Sequence, residues 1–332
     1  MKLLVTGGAG YIGGTVATIL MQAGHEVTVL DNLCHSKRDE VPAGAMFVQA
    51  DIADRPRVES LLRELQPDGV LHFAALIEAG ESMQKPEIYF RNNTASTLAL
   101  LEAMHATGVK KLVFSSTAAV YGEPERVPID ESAKLAPTNA YGESKLLVEQ
   151  VLVWLNRIHG LRYASLRYFN VAGALPGRGE DHEPETHLIP LILDVALGRR
   201  EKIFIYGDDY DTPDGTCIRD YIHVVDLAAA HILALNALDA RDRLICNLGN
   251  GQGFSVKEVV EAARRVTGHP IPVEIKPRRA GDPARLVASS ARAQAELGWK
   301  PKAPDIDEIL VSAWEWQQRR YTASPKDNST FR

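Results

Sequence analysis

Cysteine is scarce. In 332 residues only Cys34, Cys217 and Cys246 occur, too scattered for a disulfide framework or a cysteine-based zinc site, so free thiols are expected. A long apolar run is also missing, which excludes a membrane-spanning helix. The first residues pass straight into a strand pattern, so neither leader nor anchor is expected, and the cytoplasm is the expected compartment. Positive charge is not in excess either: a formal net charge of −6 argues against nucleic acid or an anionic membrane as main partner. Any anion site must therefore be local. Neither an internal repeat nor a low-complexity segment is evident. The acidic stretch Asp208-Asp-Tyr-Asp-Thr-Pro-Asp-Gly215 lacks the acidic ligand that closes a calcium loop, so no metal site is expected. Asn328-Ser-Thr330 fits a glycosylation sequon, read as a coincidence in a polar tail.

What the chain does have is 45% hydrophobic residues, enough for the core of one large or two medium domains without covalent staples. It also has a glycine pattern at its start. Leu3, Leu4 and Val5 suit a strand buried on both faces, and Gly7, Gly8, Gly10 and Gly13 follow at once. Gly8-x-Gly10-x-x-Gly13, or the wider Gly7-x-x-Gly10-x-x-Gly13, matches the dinucleotide fingerprint: a sharp turn, close backbone approach to a pyrophosphate, and a helix packed tightly on the sheet. That helix is expected over 11–23, its positive end facing the anion. Residues 25–31 form the next strand and end on Asp31, placed to accept the ribose hydroxyls and to repel a 2′-phosphate, which favours NAD over NADP.

Strand and helix patterns then alternate, the mark of a parallel, doubly wound (Rossmann) α/β sheet. Strands are expected at 46–50, 69–75, 111–117 and 161–167, and helices at 56–65, 86–107 and 141–159. In such sheets ligands lie beyond the carboxyl ends of the strands, where Ala74, Ala75, Ser115, Thr117 and Asn170 fall. Asp51 follows its strand and is placed either to touch the adenine or to make a surface turn. Asn92 and Asn93 either cap or line the long helix or reach the cofactor ribose, and the pattern does not separate these. Residues 173–185, rich in Gly, Pro and acids, read as a loop or hinge. Beyond lie helices at 188–197, 225–238, 256–268 and 305–319, and strands at 202–206 and 272–276. We expect a nucleotide-binding domain over 1–172, a smaller mixed α/β substrate domain over 173–320 with segments crossing back to the main sheet, and a frayed polar tail over 321–332.

The chemistry is expected at Tyr141-Gly-Glu-Ser-Lys145. Residues four apart share a helix face, so phenol and ammonium can enter one pocket. A free tyrosine titrates near 10; a neighbouring Lys⁺ and the positive ring of bound NAD⁺ favour the phenolate and make a usable base.

Thr6-Gly-Gly-x-Gly-x-x-Gly13, the hydroxyl residue Thr117 after Phe-Ser-Ser, and Tyr-x-x-x-Lys resemble the extended short-chain dehydrogenase/reductase superfamily. Asp31-Asn-Leu-Cys, Gly80-Glu-Ser-Met-Gln-Lys-Pro86, Tyr168-Phe-Asn170, Gly215-Thr-Cys-Ile-Arg-Asp-Tyr-Ile-His223 and Arg278-Arg-Ala-Gly-Asp282 are similar to its UDP-hexose 4-epimerases. The likeness runs from Met1 to about residue 316. It implies an isomerase of galactose metabolism that interconverts UDP-galactose and UDP-glucose through a 4-keto intermediate. Tyr141 would take the proton of the 4-hydroxyl, with Lys145 holding the nicotinamide ribose and Thr117 bonding the reacting oxygen. A retained NAD would accept the hydride and return it to the other face. Cofactor contacts are implied at Gly7, Gly10, Tyr11, Ile12 and Gly13, then at Asp31, Asn32, Leu33, Cys34, His35 and Ser36. Further contacts are implied at Asp51, Ile52, Phe73, Ala74, Ala75, Leu76, Asn92, Ser115 and Phe169, besides Tyr141 and Lys145. The UDP-sugar would meet Thr117, Asn170, His187, Leu188, Phe204, Ile205, Tyr206, Arg219, Arg279, Asp282 and Leu286. The arginines have a physical reason too, since a diphosphate wants guanidinium donors. A homodimer is implied through the helices 86–107 and 141–159.

Four positions depart from the family pattern. Ile77 stands where many members have a lysine, which removes one polar contact to the cofactor. Thr117 replaces serine and His187 replaces asparagine. Leu286 is intermediate in size where a tyrosine restricts the sugar pocket and smaller residues admit N-acetylated sugars. Proton transfer argues against the rival activities. A dehydratase needs an acid and a base beside the threonine and related decarboxylases a glutamate, but Ala118 and Ala119 stand there. A nucleotide sensor without turnover has no use for an intact Tyr141, Lys145 and Thr117.

Overall fold

The computed structural model describes residues 1–279 and 282–322. The tail over 323–332 with its sequon, and Ala280-Gly281 of the Arg278–Asp282 motif, lie outside the described residues.

Six strands of the first half, β1 (Lys2–Thr6), β2 (Glu26–Asp31), β3 (Met46–Gln49), β4 (Gly69–His72), β5 (Lys111–Thr117) and β6 (Arg162–Tyr168), join a seventh, Arg243–Leu248, in one sheet. Every pairing is parallel, and the spatial order is 243–248, β6, β5, β4, β1, β2, β3. The order reverses between β1 and β4, so their carboxyl ends open the crevice where a dinucleotide binds in doubly wound sheets. The central strands are apolar in their middles because helices cover both faces: Leu3 and Val5 point into one layer with Val16 and Leu20, Leu4 into the other with Val58 and Leu62.

Two further segments of the second half belong to the same layer structure. Besides the strand Arg243–Leu248, the helix Val224–Ala237 packs its Leu227, Ala228, Ala234 and Leu235 into the same core as the first helix, Tyr11–Gln22. What remains of the second half has its own core, with Ile192, Leu193, Val259, Ile309 and Leu310 almost wholly buried. There Ile203–Tyr206 and Val273–Lys276 pair as a separate two-stranded parallel sheet, and the helix Val256–Thr267 starts on a Ser255 capping box with Glu258.

One expected helix is not continuous. Over 86–107 the chain makes a short turn of helix, Pro86–Tyr89, a π-helical stretch, Phe90–Ala95, and only then a regular helix, Ser96–Thr107. The cause is polar: Asn93 is buried and its amide bonds both backbone groups of Leu76 (2.8 and 2.9 Å) and Ser144 Oγ (3.1 Å). Thr94 Oγ1 bonds the Ser144 carbonyl at 3.0 Å, so the segment is wound wide to meet the helix Ala140–His159.

Candidate active site

The glycines come first, because they decide whether a dinucleotide fits. Gly7 sits at φ +69°, and a Cβ there would lie 2.5 Å from the Ala74 nitrogen; one on Gly13 would collide with the Gly7 carbonyl oxygen. The turn thus presses β1 against the segment after β4 and lets backbone N–H groups face outward. Before them runs a crevice of about 930 Å³, lined on the adenosine side by Asp31, Asn32, Cys34, Asp51 and Ile52 and on the other side by Ser115, Thr117, Tyr141 and Lys145. Asp31 accepts from the backbone N–H groups of Ala9 (3.1 Å) and Leu33 (2.9 Å), which holds its carboxylate at the crevice wall with lone pairs to spare for hydroxyls. Asp51 is steadied by the Asn32 amide at 2.9 Å. The residues present therefore fit NAD.

All but one of the cofactor residues expected from the sequence line this crevice, including Gly10, Tyr11, Ile12, His35, Ser36, Phe73, Ala75, Leu76, Asn92 and Phe169. Leu33 does not: it takes a left-handed turn at φ 61°. Ile77 lines the wall and brings no donor. The sequence reading missed Arg178, which reaches from the supposed hinge across the glycine turn. Its guanidinium faces the Ala9 and Gly10 carbonyls at 3.4 Å, bonds the Glu40 carbonyl, and rests on Gly14.

At the far end the helix Ala140–His159, capped by the Asn139 side chain on Gly142 N–H, delivers Tyr141 and Lys145 to the end of β5. Lys145 is 3% exposed and donates from Nζ to the Ser115 carbonyl at 2.9 Å; burial lowers its pKa to about 7. Burial also raises the Tyr141 phenol above its ordinary value, against a hydrogen bond with Thr117 that pulls it down. Thr117 Oγ1 accepts from Ala119 N–H at 3.1 Å, which leaves its own proton to donate on the side where the Tyr141 phenol lies. Tyr141, Lys145 and Thr117 line the same end of the crevice.

A second cavity of about 280 Å³ opens beside the first and shares Tyr11, Asn170, Val171, Glu180, His187 and Trp316 with it. It is lined by Leu188, Phe204, Tyr206, Arg219, Arg279 and Asp282, as expected of a nucleotide-sugar site. Arg219 is ion-paired with Asp282, and Arg279 stacks on the Tyr206 ring at 4.0 Å. Ile205 differs: strand alternation turns it into the core at 2% exposure, so only its backbone can meet a ligand. Leu286 lies outside the cavity lining, against the cluster of Ala118, Val120 and Phe169. His187 Nδ1 pairs with Glu185 at 2.8 Å; burial lowers its pKa, but the Glu185 bond and the nearby glutamates carry it up to about 9.

Such a site, a Rossmann crevice with a Tyr-Lys-Thr group at one end and an arginine-rich cavity beyond it, defines a dinucleotide-dependent enzyme acting on a hydroxyl group of an anionic substrate. The chain belongs to the NAD dependent epimerase/dehydratase family, whose model matches residues 3–249. A UDP-glucose 4-epimerase of Streptomyces lividans is 58% identical over 316 residues, covering 95% of each chain. The UDP-glucose 4-epimerase of Bifidobacterium longum, solved in complex with NAD+ and UDP, superposes with a TM-score of 0.92 at 40% identity, covering 98% of this chain and 100% of that one. The UDP-Glc/GlcNAc 4-epimerase of Campylobacter jejuni gives 0.85 at 42% identity over 96% and 99%.

Proposed function

We propose that this enzyme interconverts UDP-galactose and UDP-glucose at carbon 4. The observation that carries the reading is the convergence of Tyr141, Lys145 and Thr117 where the crevice meets the arginine-lined cavity. When bound, NAD would supply the hydride acceptor and donor and a positive charge that favours the phenolate. Tyr141 then takes the proton of the 4-hydroxyl at its phenolic oxygen and later returns it. Thr117 Oγ1 donates to the sugar oxygen as charge develops there. Lys145 disfavours the protonated phenol and holds a ribose hydroxyl. Inverting carbon 4 requires the hexose to present both faces in turn, so the grip belongs on the diphosphate, at Arg219 and Arg279, with the hexose loosely held. The two alanines after Thr117 offer no groups for elimination or decarboxylation.

Incubation with UDP-galactose and no added cofactor, followed by chromatography, tests this: UDP-glucose appears if the reading is right, and its absence from protein that carries NAD refutes it. A second substrate class belongs to the reading: we expect turnover of UDP-N-acetylhexosamines as well, a breadth that the name of the Campylobacter relative carries, although Leu286 packs beside the lining and not in it. Parallel assays on both sugars decide it.

The same reading includes a homodimer. Leu98, Val153, Trp154 and Ile158 are exposed on the helices Ser96–Thr107 and Ala140–His159, with Trp154 at 56% and Ile158 at 63%. That patch suits burial against a second copy. Light scattering on wild type and Trp154→Arg tests it. Cytoplasmic residence, checked by cell fractionation, and the division at residue 172 belong to the proposal too.

A further inference from the structure

The loop between the two cavities carries four metal-ligating side chains at spacings of two, three and two residues: Glu180, His182, Glu185 and His187. One donor atom from each falls within 4.8 Å of all the others. The imidazoles lie 5.5 Å apart, centroid to centroid, and each Nδ1 faces a carboxylate: His182 that of Glu180, His187 that of Glu185 at 2.8 Å. Neither pair turns away to solvent on its own; both converge.

We propose that these residues bind one divalent transition-metal ion of the zinc type. The donor set is two imidazoles and two carboxylates, the nitrogen and oxygen ligands that zinc takes at about 2.0–2.2 Å in tetrahedral sites. Two carboxylates balance the charge of one divalent ion. One ion among the four donor atoms replaces the imidazole–carboxylate contacts, and side-chain rotation opens each pair and brings the two pairs together. The backbone is already held from three directions. Trp316 Nε1 donates to the Glu180 carbonyl at 2.9 Å, Thr186 Oγ1 donates to Glu78 at 2.8 Å, and Glu185 accepts from the backbone N–H groups of Thr186 (2.8 Å) and His187 (2.7 Å). Such outer bonds orient ligands and are part of what makes a site. A bound ion staples the segment that places Arg178 on the glycine turn and His187 in the second cavity. The proposal does not depend on which sugar the enzyme takes, and because Glu180 and His187 also line the second cavity the ion lies at the edge of the proposed sugar site.

The test is zinc binding by the full-length protein. After chelator treatment and dialysis, zinc chloride alone is titrated, retained metal is measured by elemental analysis, and melting is followed with and without zinc. Wild type is expected to retain about one zinc per chain and to melt higher with it. His182→Ala and Glu180→Gln are each expected to lower zinc affinity roughly tenfold or more, while melting as wild type does when zinc is absent. The His105 and His159 rings, 4.2 Å apart, are the competing histidine pair, and His105→Ala/His159→Ala is expected to retain zinc normally. Equal retention by His182→Ala and wild type, or loss confined to the His105/His159 variant, overturns the proposal. Should the loop variants fail to fold, cobalt added to wild type decides: intense visible bands of a four-coordinate ion support the site, and the weak bands of a hydrated ion overturn it.

Discussion

Glu149, one turn beyond Lys145 on the helix Ala140–His159, forms a two-pronged ion pair with Arg167 of β6, the two side chains 5% and 3% exposed. Ser116 Oγ donates to the same carboxylate at 2.6 Å, and Arg167 continues to the Tyr121 hydroxyl at 2.9 Å and so to Asn247. The pair locks the catalytic helix to β5 beside Thr117. Arg167→Met is therefore expected to destabilise the fold by about 3–5 kcal/mol, because it strands a buried carboxylate, while Arg167→Met/Glu149→Leu costs much less. Denaturant melts of the single and double variants check this ordering.

Tyr141→Phe removes the proton acceptor and little volume. Turnover is expected to fall by about 10²–10⁴, with binding of UDP-sugar within a few-fold of wild type. Rate assays paired with calorimetry check both halves, and an unchanged rate hands the protein to the sensor reading.

Thr117→Ser keeps the hydroxyl and is expected to hold activity within a few-fold. Thr117→Ala loses the donor to the reacting oxygen and is expected to cost roughly 10–10³ in turnover at similar KM. Steady-state kinetics on both variants separate hydroxyl from methyl.

Lys145 has its folded pKa lowered to about 7 against an unfolded value near 10.4. Between those values the unfolded chain binds more protons, so the stability of nucleotide-free protein rises with pH across that window. The cost of burying the charge is fully present below about pH 7. Lys145→Met is expected to raise the melting temperature of stripped protein at pH 6, with a gain that shrinks towards pH 10, and to abolish turnover. Calorimetric melts at the two pH values give the sign.

Gly13→Ala places a methyl group against the Gly7 carbonyl oxygen. The helix Tyr11–Gln22 must then back away from the turn, and purified protein is expected to carry little or no nucleotide. Chromatography of the supernatant after heat denaturation measures it.

Much of this was legible because the signals were local. The glycine spacing, Asp31 at a strand end and the four-residue step from Tyr141 to Lys145 each depend on one stretch of chain, and the structure keeps them where periodicity puts them. Features built from distant residues were not. Arg178 lies in a stretch whose composition says only loop, and nothing local tells that it folds over Gly14, far back in sequence. The break in the helix at Phe90–Ala95 arises from Asn93 bonding Leu76 and Ser144, a tertiary demand that overrides helical pattern. Arg243–Leu248 has too short an apolar run to declare which sheet it joins. The Glu180–His187 cluster did have a visible spacing, but carboxylates and imidazoles alternate on many polar loops, and only convergence distinguishes them.

The seventh strand of the sheet has a consequence for biosynthesis. Because Arg243–Leu248 pairs with β6 along its whole length, a nascent chain that has emerged only to residue 172 still presents β6 as an open edge, a template for stray pairing with other chains. The nucleotide-binding half is listed first in the message yet finished late, and a ribosome must deliver three quarters of the polypeptide before that half can close. Fragments cut at the apparent domain boundary are thus expected to aggregate, whereas those ending beyond the helix Val256–Thr267 keep the sheet sealed.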